Sequence, residues 1–445
     1  MAKPKPKRPA PPRRGWGSGG LWRPVALGGG LPLAGAAYVG VDYLRHLSPV
    51  WHGRLRPALW AALALATAAR APFYRRWDAE VRAAPRFFAT IAFMLAALLC
   101  EAISVRFVST VLGLRWHRST APLPDTGQWM LLALSGKLPQ TVVDLLKARI
   151  ITLHHYLMLF IMLAFSALFD CIKGPGLGIG SRYMFTMAVG RLLRTITFIA
   201  TILPSARPWC AHSRYQIPDH PHPWAQKYYA PYASDPNMIW RVMKEDTPYA
   251  TLQDYPDEYK PDWGLMSFLV DLLRPSSGEG PSWYHLLRKS SGGCNDLIYS
   301  GHMFVAVLTA MAWAEAYGGW SSVVIWFLVI HSAQREVRER HHYSVDCIVA
   351  IYIGVLLWRM TGFLWSAMET NRSRRLAKLD EVQKRLFQAA KDSDVLEIRS
   401  LLNEVELAGQ ENKGFSQRII FSFAAAVIVF TVLFVLLAFT LTNDG

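Results

Sequence analysis

Apolar residues gather in blocks separated by charged or aromatic connectors, a pattern that predicts membrane-crossing helices and an all-α bundle. A helix needs roughly 20 residues to cross a hydrocarbon core of about 30 Å. Six blocks fit a core: Phe87 to Leu114, interrupted by Glu101 and Arg106; Ile151 to Ile172; Tyr183 to Pro204, which carries Arg191 and Arg194; Met303 to Tyr317; Trp320 to His331; and Cys347 to Trp365. The fourth and fifth are short and would be lengthened by their flanks. Pro24 to Val41, which is Gly-rich, and Pro57 to Ala71 are weaker, and each either spans or lies in the interface. Ile419 to Leu441 is the least ambiguous span. Counting both weak segments gives nine.

The divisions that follow are a basic, Pro- and Gly-rich tail over residues 1–20, read as disordered and cytosolic, accessory membrane segments over 21–85, a six-span core over 86–368 and a C-terminal membrane helix over 414–445. The tail has no apolar core close behind its charges and does not read as a signal peptide. Within the core, Ser205 to Asp296 is too long for a connector and reads as an extramembrane cap. Between core and last helix, residues 369–413 place Leu376, Leu379, Val382, Leu386, Val395, Ile398 and Leu401 at spacings of three or four. That spacing predicts an amphipathic helix pair, either packed on a partner or simply solvated.

Composition agrees with a membrane setting: 52% of residues are hydrophobic and 17 are Trp. The net charge of +16 sits in short clusters beside apolar blocks, which favours anionic lipid surfaces over nucleic acid as the partner. The basic N-terminus and the run Arg372 to Lys378 point to the cytosol, although Arg115, Arg118, Lys147 and Arg149 blur the count on the other side. Five cysteines are too few for a disulfide scaffold and show no C-x-x-C metal spacing. Cys210 and Cys294 both fall in the long polar stretch, where they pair if it faces an oxidising lumen.

The chemistry concentrates in two segments that each open an apolar helix. The first, Cys294-Asn-Asp-Leu-Ile-Tyr-Ser-Gly-His302, includes Asp296, Ser300 and Gly301; the second, His341-His-Tyr-Ser-Val-Asp346, begins about 40 positions later. His342 and Asp346 are four apart and share a helical face, so the carboxylate can orient one imidazole nitrogen. Moving a phosphate ester requires attack at phosphorus and a proton for the departing alkoxide. The roles that fit are His342 as nucleophile, Asp346 as its orienting group and His302 as general acid, then base. Charge on the non-bridging oxygens calls for arginines, and Arg194, Arg338 and Arg340 are the candidates. The run Arg335 to Arg340 reads equally as a solvated loop face. Ser300 and Gly301 form a turn able to approach phosphate closely, with Asp296 in the same binding segment. His154, His155 and His331 read as satisfied interfacial histidines. No metal or cofactor is required.

Four motifs resemble those of the sphingomyelin synthase-like lipid phosphotransferases, themselves akin to lipid phosphate phosphatases. Pro122-Leu-Pro-Asp125 is similar to the first, and Arg182-Tyr-Met-Phe185 through Arg194-Thr-Ile-Thr197 to Leu203-Pro204 to the second. Cys294 to His302 resembles the third, C-G-D-x-x-x-S-G-H-T, and His342-Tyr-Ser-Val-Asp346 the fourth, H-Y-T-x-D. The resemblance covers roughly residues 86 to 368 and implies that His302, His342 and Asp346 are catalytic and face the lumen. It also places Cys210 and Cys294 where relatives have cysteines. Asn295, Met303, Ser344 and Cys347 depart from the pattern without removing a catalytic group. The long loop, the N-terminal segments and the last helix look most like the plant phloem unloading modulator branch, which implies an endoplasmic reticulum membrane, with the Golgi as alternative.

The function implied is transfer of a phosphate-bearing head group from a glycerophospholipid to ceramide, releasing diacylglycerol; the head group and the existence of a homo-oligomer stay open. One alternative is a lipid phosphate phosphatase, against which stand the missing Lys-x6-Arg-Pro run and the missing Ser-Arg pair before His342. The other is a non-catalytic membrane scaffold or regulator.

Overall fold

The computed structural model describes residues 30–111, 120, 122–172, 174–206, 222–224, 227, 295–296, 298–410 and 415–441. The fold is an all-α membrane bundle. Its helices are α1 (Gly30–Leu47), α2 (Pro49–Arg70), α3 (Trp77–Val111), α4 (Thr126–Ser135), α5 (Gln140–Lys147), α6 (Leu153–Phe165), α7 (Gly176–Ala200), α8 (Gly301–Ala316), α9 (Gly319–Arg338), α10 (Ser344–Lys391), α11 (Val395–Gln410) and α12 (Phe415–Leu441). A two-residue antiparallel pair, β1 (Leu203–Pro204) with β2 (Asn295–Asp296), sets Leu203 opposite Asp296. Most of the long cap segment, Cys210 and Cys294 included, lies outside the described residues.

Among the described residues, Trp77–Val105 and Ser344–Ala367 are long and apolar enough to cross a bilayer by composition, and Leu153–Phe169 and Ser422–Leu437 are shorter apolar stretches. Polar groups on these and neighbouring helices join the bundle. α3 and α7 lie side by side and run the same way, tied at both ends. Pro175 offers no side-chain cap to α7, and Glu80 of α3 supplies one by accepting the N–H groups of Gly176 at 2.6 Å and Leu177 at 2.9 Å. At the far end, Glu101 of α3 pairs with Arg191, at 2.7 Å, and with Arg194 of α7. Glu101, which interrupted one apolar block, therefore meets the two arginines that interrupted another across a helix interface.

α7 also meets the helices that carry the two chemical segments. Tyr183 stacks on Phe160 at 3.6 Å and shares a 3.0 Å hydrogen bond with Thr309 of α8, while Thr186 meets Thr361 of α10 at 2.9 Å. Arg182 donates to Glu315 at 2.6 Å and to the Trp358 carbonyl at 2.7 Å, with its guanidinium 3.9 Å over the Trp358 ring. These second-motif residues are interhelical ties, as expected where hydrocarbon leaves little hydrophobic drive between helices. Gly190 allows the closest approach, since a Cβ there would meet the Phe304 ring at 2.1 Å.

The sequence placed a boundary at residue 368, but α10 continues through it as a single 48-residue helix, about 72 Å long. No Pro or Gly interrupts residues 363–391, so nothing local ends it. Ser393, in the left-handed region at φ 54°, turns the chain back into α11. The expected helix pair exists and buries Val382, Ala389 and Leu401 between its arms. Its apolar face is narrower than the spacing implied, because Leu379 and Val395 are exposed. In the N-terminal hairpin, α1 buries Tyr38 and Val39 against the core, whereas α2 has no buried residue.

Candidate active site

The sequence ended its fifth block at His331, whereas α9 runs on to Arg338. Arg340 adopts φ 55°, a left-handed conformation that an arginine rarely takes. Its N–H reaches the Val337 carbonyl at 3.2 Å, and the His341 N–H reaches back to the Glu336 carbonyl at 2.9 Å. This is the Schellman pattern of helix termination, with arginine where glycine is usual. The turn delivers His341 and His342 to the start of α10. Arg335, Arg338 and Arg340 are all buried, so the solvated-loop reading of this run does not hold.

At the N-terminus of α10, Asp346 is fully buried and its Oδ2 accepts the Tyr343 N–H at 3.0 Å, the reciprocal half of a capping box. The same Oδ2 stands 3.8 Å from His342 Nδ1, but His342 precedes the helix, so the two meet across its start and not on the shared helical face that the spacing predicted. His342 is itself buried, so imidazole and carboxylate face each other away from bulk water. The separation exceeds a hydrogen bond, a common state of catalytic pairs before substrate closes the site.

Two partners from the first motif hold this terminus. Asp125 accepts the Ser344 N–H at 2.8 Å and its hydroxyl at 2.6 Å, while also capping α4 through the Gln128 N–H at 3.2 Å. Gly127 makes the approach possible: a Cβ there would come within 2.7 Å of Ser344. The Tyr343 hydroxyl accepts from the Leu123 N–H at 2.9 Å and donates to the Pro204 carbonyl at 3.0 Å, joining the first, second and fourth motifs at one oxygen.

The third motif arrives beside them. Ser300, fully buried, donates its N–H to the Asp346 carbonyl at 3.3 Å and caps α8 by accepting the Met303 N–H on its hydroxyl at 3.3 Å. His302, in the first turn of α8, is exposed. The Arg194 guanidinium donates to the Tyr299 carbonyl and lies against Gly301, where a Cβ would meet it at 3.5 Å. Two helix N-termini, a guanidinium and two histidines thus converge at one end of the bundle. Helix N-termini present unpaired N–H groups and partial positive charge, which suits a phosphate.

The other candidates separate. Arg338 faces α4, donating to the Leu131 carbonyl at 3.2 Å and to Ser135, and back to Gln334 at 3.0 Å. Asp296 lies in β2 with only its backbone described. Glu336 is the neighbour that sequence reasoning missed. It sits beyond the apolar stretch of α9, and although burial opposes its charge, His341, His302, Arg335 and His342 together hold its pKa down to about 2. Its carboxylate is therefore anionic, bonded to Arg335 at 3.2 Å and close enough to His302, His341 and His342 to be stabilised by their charge. Glu339 is likewise held below the usual range against burial, chiefly by the hydrogen bond from His341 at 3.2 Å. Only the density of charge in Arg335-Glu-Val-Arg-Glu-Arg340 hinted at either.

The geometry coincides with a family assignment. Residues 293–363, which hold the third and fourth motifs, match the PAP2 superfamily C-terminal domain. That defines the class: a membrane protein of lipid phosphatase or phosphotransferase type, acting on lipid substrates. Over 421 residues, 94% of this chain and 99% of the relative, it is 58% identical to Protein PHLOEM UNLOADING MODULATOR of Arabidopsis thaliana. The chain belongs to the phloem unloading modulator family. No solved structure matches it.

Proposed function

We propose that the protein is a ceramide phosphotransferase of the sphingomyelin synthase-like type. His342 attacks the phosphorus of a glycerophospholipid, forming a phosphohistidine as the bond to diacylglycerol breaks. His302 gives the departing alkoxide its proton. It then takes the proton of ceramide's primary hydroxyl, whose oxygen attacks the phosphohistidine and releases His342. Asp346 holds the imidazole, and Arg194 with the N-termini of α8 and α10 faces the charge that develops on the phosphoryl oxygens. The observation that carries this reading is the His342 to Asp346 pairing, 3.8 Å within a buried helix start to which the third motif is hydrogen-bonded.

On this reading the site faces the lumen of the endoplasmic reticulum, and the C-terminal half of α10 with α11 is cytosolic. A lipid interface poor in water favours ceramide over hydrolysis. The test is purified protein incubated with labelled ceramide and a panel of phosphocholine, phosphoethanolamine and phosphoinositol donors. A labelled phosphosphingolipid from wild type and none from His342→Ala is the expected result. Free phosphate without acceptor would make it a phosphatase, and unchanged product in His342→Ala would refute the mechanism.

A further inference from the structure

Three imidazoles gather around one carboxylate at the same end of the bundle as the active site, but on other helices. Asp42 lies in the last turns of α1, His52 in the first turn of α2, and His154 with His155 in the first turn of α6. Asp42 Oδ2 is 3.0 Å from His155 Nε2 and 3.9 Å from His154 Nε2, and Asp42 Oδ1 is 3.5 Å from His52 Nε2. A zinc ion about 2.0–2.1 Å from each ligand holds tetrahedral donor atoms roughly 3.3 Å apart, and these separations straddle that value. One potential donor atom each from Asp42, His154 and His155 lies within 4.8 Å of the other two.

Two further observations point to a ligand rather than to ordinary interfacial histidines. His52 Nε2 is buried and has no hydrogen-bond partner among the described residues, although it is aimed at the Asp42 carboxylate. By contrast His331, the other interfacial histidine, rests on the Ala148 carbonyl at 2.9 Å. The far sides of the paired rings are also organised: Thr152 Oγ1 stands 2.7 Å from His154 Nδ1 and 2.9 Å from His155 Nδ1. In the tautomer that carries the proton on both Nδ1 atoms, this hydroxyl can accept from both and leave the Nε2 lone pairs directed at Asp42, the outer-shell arrangement that orients metal-bound histidines.

We propose that Asp42, His154 and His155 bind a divalent transition-metal cation of the zinc class that staples the α1–α2 hairpin to core helix α6, with His52, 3.5 Å from the other carboxylate oxygen, moving in to complete the shell. Without the cation, His155 Nδ1 accepts the Thr152 N–H at 3.1 Å and its Nε2–H points to Asp42. Binding moves that proton from Nε2 to Nδ1, where Thr152 Oγ1 accepts it; the Thr152 N–H gives up its bond to Nδ1, and Nε2 opens to the metal. Arg45, 3.9 Å from Asp42 on a half-exposed side chain, is the positive group that the cation displaces.

The test uses full-length protein in detergent, stripped with chelator, reloaded with Zn2+ or Co2+ and dialysed. Elemental analysis of wild type is expected to return about one Zn2+ per chain, and the Co2+ form to show the visible bands of a tetrahedral nitrogen and oxygen site. His154→Asn, at a ring with its side chain 54% exposed, leaves the core packing in place and is expected to weaken binding at least about tenfold and abolish those bands. His342→Ala is expected to keep both, which separates this site from the catalytic histidines. Zn2+ should raise the unfolding temperature of wild type and not of His154→Asn. Wild type that retains no metal after dialysis, or His154→Asn with an unchanged load and Co2+ spectrum, overturns the proposal.

Discussion

Ser344 gives its backbone N–H to Asp125 Oδ2 at 2.8 Å and its hydroxyl to Oδ1 at 2.6 Å, so a carboxylate 219 residues upstream closes the N-terminus of the helix that carries Asp346. The pair links the site's geometry to the loop that precedes α4. Asp125→Ala removes the cap of α4 and the tether of α10 together. The expected result is a stability loss of roughly 1–3 kcal/mol and a larger proportional loss of turnover, because the displaced helix start carries both His342 and Asp346 off register. Thermal unfolding and lipid turnover measured on the same preparation check this, and wild-type turnover in the variant would show the tether to be dispensable.

Tyr343→Phe isolates a single oxygen. The ring stays, yet the Leu123 N–H and the Pro204 carbonyl lose their partner. Each buried group left unsatisfied costs about 1–3 kcal/mol, less if water enters. A fall in unfolding temperature with retained but reduced activity is expected. An unchanged unfolding temperature would mean that this junction is already hydrated.

The arrangement was legible in parts. The four-residue interval between His342 and Asp346 does bring the two side chains together, but across the N-cap Tyr343 rather than by helical register, because α10 begins at Ser344, ahead of the Cys347 at which the sequence placed its apolar block. Charges inside apolar blocks marked Glu101, Arg191 and Arg194 as interruptions, and only the parallel packing of α3 on α7 reveals them as partners. Arg338 read as a phosphate ligand, while its hydrogen bonds lead to α4. The left-handed cap at Arg340 left no trace in the sequence, since termination by this motif is usually signalled by glycine. Glu336 was hidden for the same reason: without the extension of α9 it has no reason to face a histidine.

Glu336 makes the acid stability of the site testable. Its carboxyl is held down to about 2 from an ordinary 4.5, so the folded state binds fewer protons than the unfolded one in that interval. The stability it supplies is complete above pH 4.5 and is lost as pH falls toward 2. Glu336→Gln is expected to start lower at neutral pH and to decline less steeply across this window. Glu339, also held low, keeps the slope from vanishing. Unfolding temperatures recorded from pH 6 to pH 2 read the difference, and parallel curves for the two proteins would exclude an anionic Glu336 at the site.

Asp346→Asn distinguishes orientation from charge at the nucleophile. Asparagine has the same shape, and its carbonyl oxygen can still accept the Tyr343 N–H that the carboxylate takes at 3.0 Å, so the start of α10 is expected to fold. What disappears is the anion facing His342 Nδ1 across 3.8 Å. An imidazole that becomes positive as its other nitrogen bonds to phosphorus then has no counter-charge. Turnover should drop by roughly 10²–10⁴-fold while the unfolding temperature stays near that of wild type. Formation of the phosphohistidine, followed with donor lipid labelled in its phosphate and no acceptor present, should slow by the same factor. If the intermediate forms at the wild-type rate and only its transfer to ceramide is impaired, Asp346 serves the second step, and His342 is not activated by the carboxylate beside it.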